Sequence, residues 1–211
     1  MVEVEKKVSR GEKRKYELLE IATDAIIELG YANTSMDEIV RRARASKTTV
    51  YRYFKNKEAM LAEIVSNLSE GPVLSIRSLD SHADGGSREE LKETLFVFGK
   101  TVLKLVYDEK TLGLWRVLIG EGRRTQHITK SFFQLGPKRA TTSIAQQLQL
   151  ANDLGILSID TPENAAAIFM GMLREDTHLA LLLGVRSAPN EQQIRDHVKD
   201  CVCRFMRAYA A

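Results

Sequence analysis

Apolar residues recur at helical spacing along most of this 211-residue chain. Leu18, Ala22, Ala25, Ile26 and Leu29 fall three and four apart, which predicts a helix over 12–29 with one buried face, stopped by Gly30. Ser35-Met36-Asp37-Glu38 then reads as a capping box, with the serine hydroxyl accepting from the Glu38 amide and the Glu38 carboxylate reaching back. It opens a short helix that turns Met36, Ile39, Val40 and Ala43 inward. After a tight turn, Ser46 caps a third helix, through Lys47 to Phe54, anchored to the core by Val50 and Phe54. Asn56 caps a fourth, from Lys57, whose apolar positions Met60, Leu61, Ile64, Val65 and Leu68 continue to a break at Gly71-Pro72.

A loop of small and polar residues, Asp80 to Gly86, separates this block from a larger one. Ser87-Arg88-Glu89-Glu90 forms a second capping box, and helical spacing continues over 91–107, 111–124 and 128–154. Gly136-Pro137 should kink or split the last of these, and Gly155 ends it. Thr161-Pro162 starts a helix running toward Gly184, and Asn190 opens a final one. The pattern predicts an all-α protein of about nine helices: a flexible N-terminal arm over 1–11, a compact helical domain over 12–65 and a larger helical domain over 66–211.

Composition agrees, since only four prolines occur and no run of alternating β-branched residues appears. No stretch approaches the length of a membrane span and the first residues lack the apolar middle of a secretory signal, so a cytoplasmic protein with no membrane partner is expected. Cys201 and Cys203 lie two apart in a helical pattern and diverge, so a mutual disulfide would strain the backbone and packing thiols are expected.

Charge changes the picture once it is divided by region. Residues 1–58 hold 13 Lys/Arg against 10 Asp/Glu, and the remainder holds 18 of each. Within the excess, Arg41, Arg42, Arg44, Lys47, Arg52, Lys55 and Lys57 follow one another with no acidic residue between them. An unmixed basic segment of this kind is the footprint of contact with a polyanion.

The run SMDEIVRRARASKTTVYRYFKNKEAML resembles the helix-turn-helix signature of the tetracycline-repressor (TetR) family. The likeness covers about residues 12–65, and the stretch from Thr49 to Glu58 carries most of it. It implies a three-helix DNA-binding domain followed by a helical ligand-binding and dimerisation domain. The chain departs from the pattern at Arg44, where the family usually places glycine in a turn that often needs a left-handed backbone. Either the turn has another shape, or Arg44 is strained and its side chain is available to DNA.

A helix-turn-helix lays its second helix in the major groove, so Lys47, Thr48 and Tyr51 are the candidate base readers. By resemblance Thr49, Tyr53 and Lys57 bind phosphate, and Ser35 caps its helix beside them. Lys6, Lys7 and Arg10 on the arm are further candidates for phosphate or minor-groove contact. The partner is then double-stranded DNA carrying an inverted repeat, read by a homodimer.

The last two helices carry the apolar positions Ile168, Met172, Leu179 and Leu183 on one and Ile194, Val198, Cys201 and Phe205 on the other. By resemblance these pair with their copies in a symmetric four-helix dimer interface. The resemblance also implies a small-molecule effector, unknown here, in a mainly apolar pocket. Its candidates are Phe96, Trp115, Arg116, Phe133, Phe169, Met170, Leu173 and His178. Ligand binding is expected to shift the population toward a form whose reading helices are wrongly spaced, making the protein a repressor released by its ligand.

Two other classes compete with this reading: a helical enzyme, and a scaffold with an incidental basic surface. The four histidines are dispersed, and no zinc-protease helix, paired Cys-x-x-Cys, phosphate loop or nucleophile elbow occurs. No catalytic residue, metal or cofactor is therefore expected. A scaffold does not predict the Thr-Tyr spacing that follows the capped short turn.

Overall fold

A computed structural model of the protein describes residues 9–74, 87–122 and 126–211. Its helices are α1 (Arg10–Leu29), α2 (Met36–Arg42), α3 (Lys47–Tyr53), α4 (Lys57–Leu74), α5 (Arg88–Val106), α6 (Glu109–Glu121), α7 (Gln126–Phe133), α8 (Arg139–Asp153), α9 (Pro162–Arg174), α10 (Thr177–Leu182) and α11 (Glu191–Ala208). A π-helical stretch, Gln134–Lys138, runs α7 directly into α8, which leaves ten separate helices among the described residues. The all-α expectation holds: the extended pairing described is a single bridge between Leu157 and Ala210.

The tenth helix arises where one was expected from Pro162 toward Gly184. Glu175 there adopts φ 43°, ψ −148°, which ends α9 and lets α10 restart at Thr177. At Gly136-Pro137 the expected kink or split is instead a π turn, whose wider ring accommodates a residue that lacks an amide donor. The helix expected to stop at Gly71-Pro72 continues to Leu74. At the other end, Ser9 caps α1 through a full capping box with Glu12, so Ser9, Arg10 and Gly11 belong to the helix start and not to an arm. Lys6, Lys7, the loop from Asp80 to Gly86 and Arg124 lie outside the described residues.

The molecule divides into two compact units. The first runs to Ile64 and also takes in Gly113–Thr129, which the expected boundary had assigned entirely to the second domain. Gly113 shows why. A Cβ at that position would lie 3.0 Å from Ile27 Cγ2, so the glycine lets α6 approach α1 without displacing the Ile27 side chain. His127 Nε2, 2.9 Å from Glu58 Oε1, joins the start of α7 to α4 within the same unit. Leu18, Ala22, Ile26, Ile39, Val50 and Met60, all fully buried, form the core of its helical block.

The second unit, 65–112 with 130–211, packs α5, α8, α9 and α11 about one core. Phe169 and Phe205 stack with ring centroids 5.1 Å apart, and Phe205 and Tyr209 follow at 4.8 Å. Ile194, Val198, Cys201 and Phe205 lie inside this core, each no more than 6% exposed. The stripe on α11 assigned to the dimer interface is therefore occupied within the protomer, because it faces α5 and α9. The α9–α10 members behave differently: Ile168 is 51% exposed, Leu179 59% and Leu183 67%, with Met172 half-buried between.

Candidate nucleic-acid interface

The interface is built on α2, α3 and the turn that joins them. Ser35 caps α2, its Oγ accepting from the Glu38 amide at 3.1 Å. The reciprocal half of the expected capping box is missing, because the Glu38 carboxylate is engaged elsewhere. It accepts from Arg41 at 2.6 and 2.8 Å and from Arg42 at 2.7 Å, and Arg42 reaches on to Glu28 at 2.6 Å. The Arg41 and Arg42 guanidinium donors hold the Glu38 carboxyl down at about 2, and the Glu28 and Glu38 carboxylates push the Arg42 guanidinium further up.

The segment that is free of acid in sequence is therefore partly neutralised in space. Arg41 and Arg42 are matched by Glu38 and Glu28, and Lys47 meets Asp37 at 2.8 Å. The last pair is about two-thirds exposed on both sides, so it is weak and exchangeable against a polyanion. Arg44, Arg52 and Lys55 stand exposed.

The turn after α2 closes as a Schellman motif. Arg44 N–H donates to Arg41 C=O and Ala45 N–H to Val40 C=O, both at 3.2 Å. That geometry requires a left-handed residue at the turn position, and Arg44 supplies it at φ 47°. The turn thus keeps the shape that glycine ordinarily takes, and the arginine is strained, with its side chain in solvent.

Ser46 caps α3, accepting from the Thr49 amide at 3.1 Å, with the Thr49 hydroxyl 2.8 Å away. Val50 is fully buried and Phe54 2% exposed, which fixes the helix by one face. Lys47, Thr48 and Tyr51 lie within an arc of about 100° on the solvent side, Tyr51 at 47% exposure. None is covered by another part of the described residues.

Tyr53 is half-buried, and its hydroxyl accepts from Arg52 Nη2 at 3.1 Å. Asn56 caps α4 by accepting from Ala59 N–H at 2.8 Å. Lys57, expected on phosphate, sits over the Tyr31 ring at 4.2 Å and donates to the carbonyls of Tyr31 at 2.5 Å and Ala32 at 3.4 Å. Its ammonium thus also ties α4 to the α1–α2 turn, a role the sequence did not indicate.

The eight residues expected in an effector pocket divide between the two units. Trp115 and Arg116 fall in the first unit and the other six in the second. Phe169 and Leu173 are fully buried in the core, Met170 is nearly so, and Phe133 is 53% exposed. Phe96 is half-buried beside Lys100. His178 is buried, and desolvation together with the charge of Arg174 pushes its imidazole down to about 4. None of the eight lines the cavity of about 430 Å³ at the α9–α10 break, which is walled by Leu103, Tyr107, Glu175, Arg186 and His197.

Cys201 is buried and Cys203 exposed, as their divergent spacing requires, and burial pushes the Cys201 thiol up to about 11. Among the described residues no group of three His, Cys, Asp or Glu is placed to hold a metal ion. No helix among them is long and apolar enough to cross a membrane.

Comparison with known proteins gives two family matches. Residues 18–64 match bacterial regulatory proteins of the tetR family, and residues 93–211 match the C-terminal domain of AefR-like transcriptional repressors. The chain is 28% identical over 136 residues to an uncharacterised HTH-type transcriptional regulator, YhgD, of Bacillus subtilis, covering 64% of this chain and 60% of that one. It is 44% identical over 54 residues to a DNA-binding transcriptional repressor, TetR, of Mycobacteroides abscessus, covering 26% of this chain and 28% of that one. The matched stretches thus span less than two thirds of both relatives. Among solved structures, the flavonoid-responsive regulator FrrA superposes with a TM-score of 0.72 at 26% identity, over 94% of this chain and 97% of that one.

Proposed function

Because the chain belongs to the TetR family of transcriptional regulators, we propose that it binds DNA sequence-specifically as a homodimer, laying α3 of each copy in the major groove of one operator half-site. One observation carries this reading. Lys47, Thr48 and Tyr51 project together into solvent from a short helix whose opposite face is pinned by Val50 and Phe54. Lysine donates to guanine O6 or N7, threonine offers a hydroxyl and a methyl, and tyrosine brings a ring with a hydroxyl. Thr49, Tyr53, Lys57 and Arg44 surround them as contacts to phosphate, which fix register without reading sequence.

The dimer is proposed to form through α9 and α10, where Ile168, Leu179, Leu183 and Val185 leave large apolar side chains in water. Regulation is proposed to be repression relieved by a small apolar effector. Support comes from the AefR-like repressor match and from the likeness to a flavonoid-responsive regulator. Such a ligand acts only by as much as it prefers one arrangement of the dimer over another.

Selection from a random duplex pool tests the reading. An enriched inverted repeat is expected, its half-sites one helical turn or a multiple apart, with affinity falling steeply as salt rises. Recovery of no inverted repeat, or affinity indifferent to salt, overturns it.

A further inference from the structure

The cavity of about 430 Å³ at the α9–α10 break lies wholly within the second unit, among the end of α5, the start of α10, residues 186–189 and the first half of α11. Its volume is in the range of small-molecule sites, about 300–1,000 Å³. Three polar groups that folding leaves incompletely matched line it. Tyr107 is only 7% exposed, yet its hydroxyl has no hydrogen-bond partner among the described residues. A buried hydroxyl of this kind calls for one. Burial, and then the nearby Glu175 carboxylate, push the phenol up to about 12, so it stays protonated and able to donate.

Glu175 is the second group. It ends α9 at φ 43°, ψ −148°, a backbone region that glycine ordinarily takes, and keeps a charged side chain there despite the strain. Its carboxylate accepts no hydrogen bond from the described residues, and stands 3.8 Å from His197 Nδ1. His197 donates from Nε2 to the Leu173 carbonyl at 2.9 Å, so the neutral ring turns its Nδ1 lone pair toward Glu175. Two acceptors thus face each other with no proton between them, a gap that an ammonium group fills.

Arg186 is the third. One Nη donates to Thr177 Oγ1 at 2.9 Å, while Asp176 stands off at 4.0 Å, beyond hydrogen-bond reach. The guanidinium is thereby steadied at the cavity wall with donors to spare, and its planar fork suits a carboxylate. Leu103 and Ile194, both buried, give the cavity an apolar wall as well.

We propose that this cavity binds a small zwitterion of the amino-acid class, its ammonium between Glu175 and His197, its carboxylate on Arg186, and the Tyr107 hydroxyl bonded to the same molecule. The site is distinct from the mainly apolar effector pocket, because none of the eight residues assigned to that pocket lines it. The lining carries one carboxylate and one guanidinium. A ligand with both charges matches both, whereas a simple acid or a simple amine leaves one of them desolvated and unopposed.

The test is thermal unfolding of the full chain with each of the twenty L-amino acids, β-alanine and 4-aminobutyrate, followed by calorimetry with the probe that stabilises it most. At about ten times its Kd that probe should raise Tm by about 3–6 °C. Its deaminated and decarboxylated analogues should each bind at least about tenfold more weakly. Glu175→Gln, Arg186→Gln and Tyr107→Phe should each weaken the parent probe at least about tenfold. Arg186→Gln should cost the decarboxylated analogue little, and Glu175→Gln the deaminated one, since the group each residue meets is already gone. Lys199→Ala/Arg207→Ala removes two exposed charges that line no part of the cavity and should change nothing.

Absence of binding by every probe overturns the proposal. So does binding that the three cavity variants leave unchanged, which sets the amino acid elsewhere, and so do analogues that bind as well as their parent. Should a variant fail to fold, the comparison of the parent probe with its two analogues on the wild-type chain still decides. No duplex is present, so none of these outcomes bears on the DNA-binding reading.

Discussion

Replacing Arg44 by glycine should make the protein more stable while weakening its grip on DNA. The arginine sits at φ 47°, where its Cβ crowds the following carbonyl, and two turn hydrogen bonds hold it there. A left-handed conformation costs a residue other than glycine about 1–2 kcal/mol. Glycine removes that strain but gives the unfolded chain more freedom, which returns about 0.4–1 kcal/mol. The net expectation is stabilisation of about 0.5–1 kcal/mol, or an upward shift of about 1–4 °C in Tm for a chain of this length. Arg44→Ala is the matching control, since alanine keeps the strained backbone and loses only the exposed guanidinium; its stability should lie within about 0.5 kcal/mol of wild type. Thermal and urea unfolding followed by circular dichroism read both. If the guanidinium touches phosphate, glycine and alanine should weaken DNA binding equally, because both remove the same charge. A glycine variant less stable than both wild type and the alanine variant would refute the assignment of strain to this turn.

The remaining predictions address charge, base reading and assembly. Glu38 titrates at about 2 in the folded protein against an ordinary value of 4.5, so its stabilising effect is complete above about 4.5 and is lost as pH falls toward 2. Glu38→Gln should flatten urea midpoints over that window, and an unchanged acid dependence would count against the Arg41–Glu38–Arg42 network. Lys47→Ala and Tyr51→Ala should relax preference at particular operator positions by about 1–3 kcal/mol per contact in a repeated selection; uniform losses on every site would remove the base-reading roles. Leu179→Asp/Leu183→Asp should yield a folded monomer by sedimentation, because both side chains are exposed in the protomer, whereas Val198→Asp should abolish folding in the second unit. A dimer that survives the first variant sets the interface elsewhere.

Much of the candidate interface was legible along the chain. Ser46, Asn56, Ser87 with Glu90, and Asn190 cap their helices where the pattern placed them. Val50 and Phe54 anchor α3 as their spacing required, leaving Lys47, Thr48 and Tyr51 outside. These are short-range matters, settled by the hydrogen-bonding groups and apolar residues within one or two turns. Ser35 marks where this logic stops: its cap formed, but the arginines of the next turn captured Glu38.

Helix content, most helix starts and the outward-facing polar side of the short helix α3 followed from the residues along the chain. Which partner each face would meet was settled by packing between helices. Periodicity reports that the α11 stripe is buried, yet it cannot distinguish α5 and α9 of the same chain from a second copy. Nor could it show that Glu28 and Asp37 neutralise cations well separated from them in sequence, or that Gly113 lets α6 join the first unit. Local free energies are fixed by neighbours in sequence, whereas charge pairing and face burial depend on residues brought together by folding.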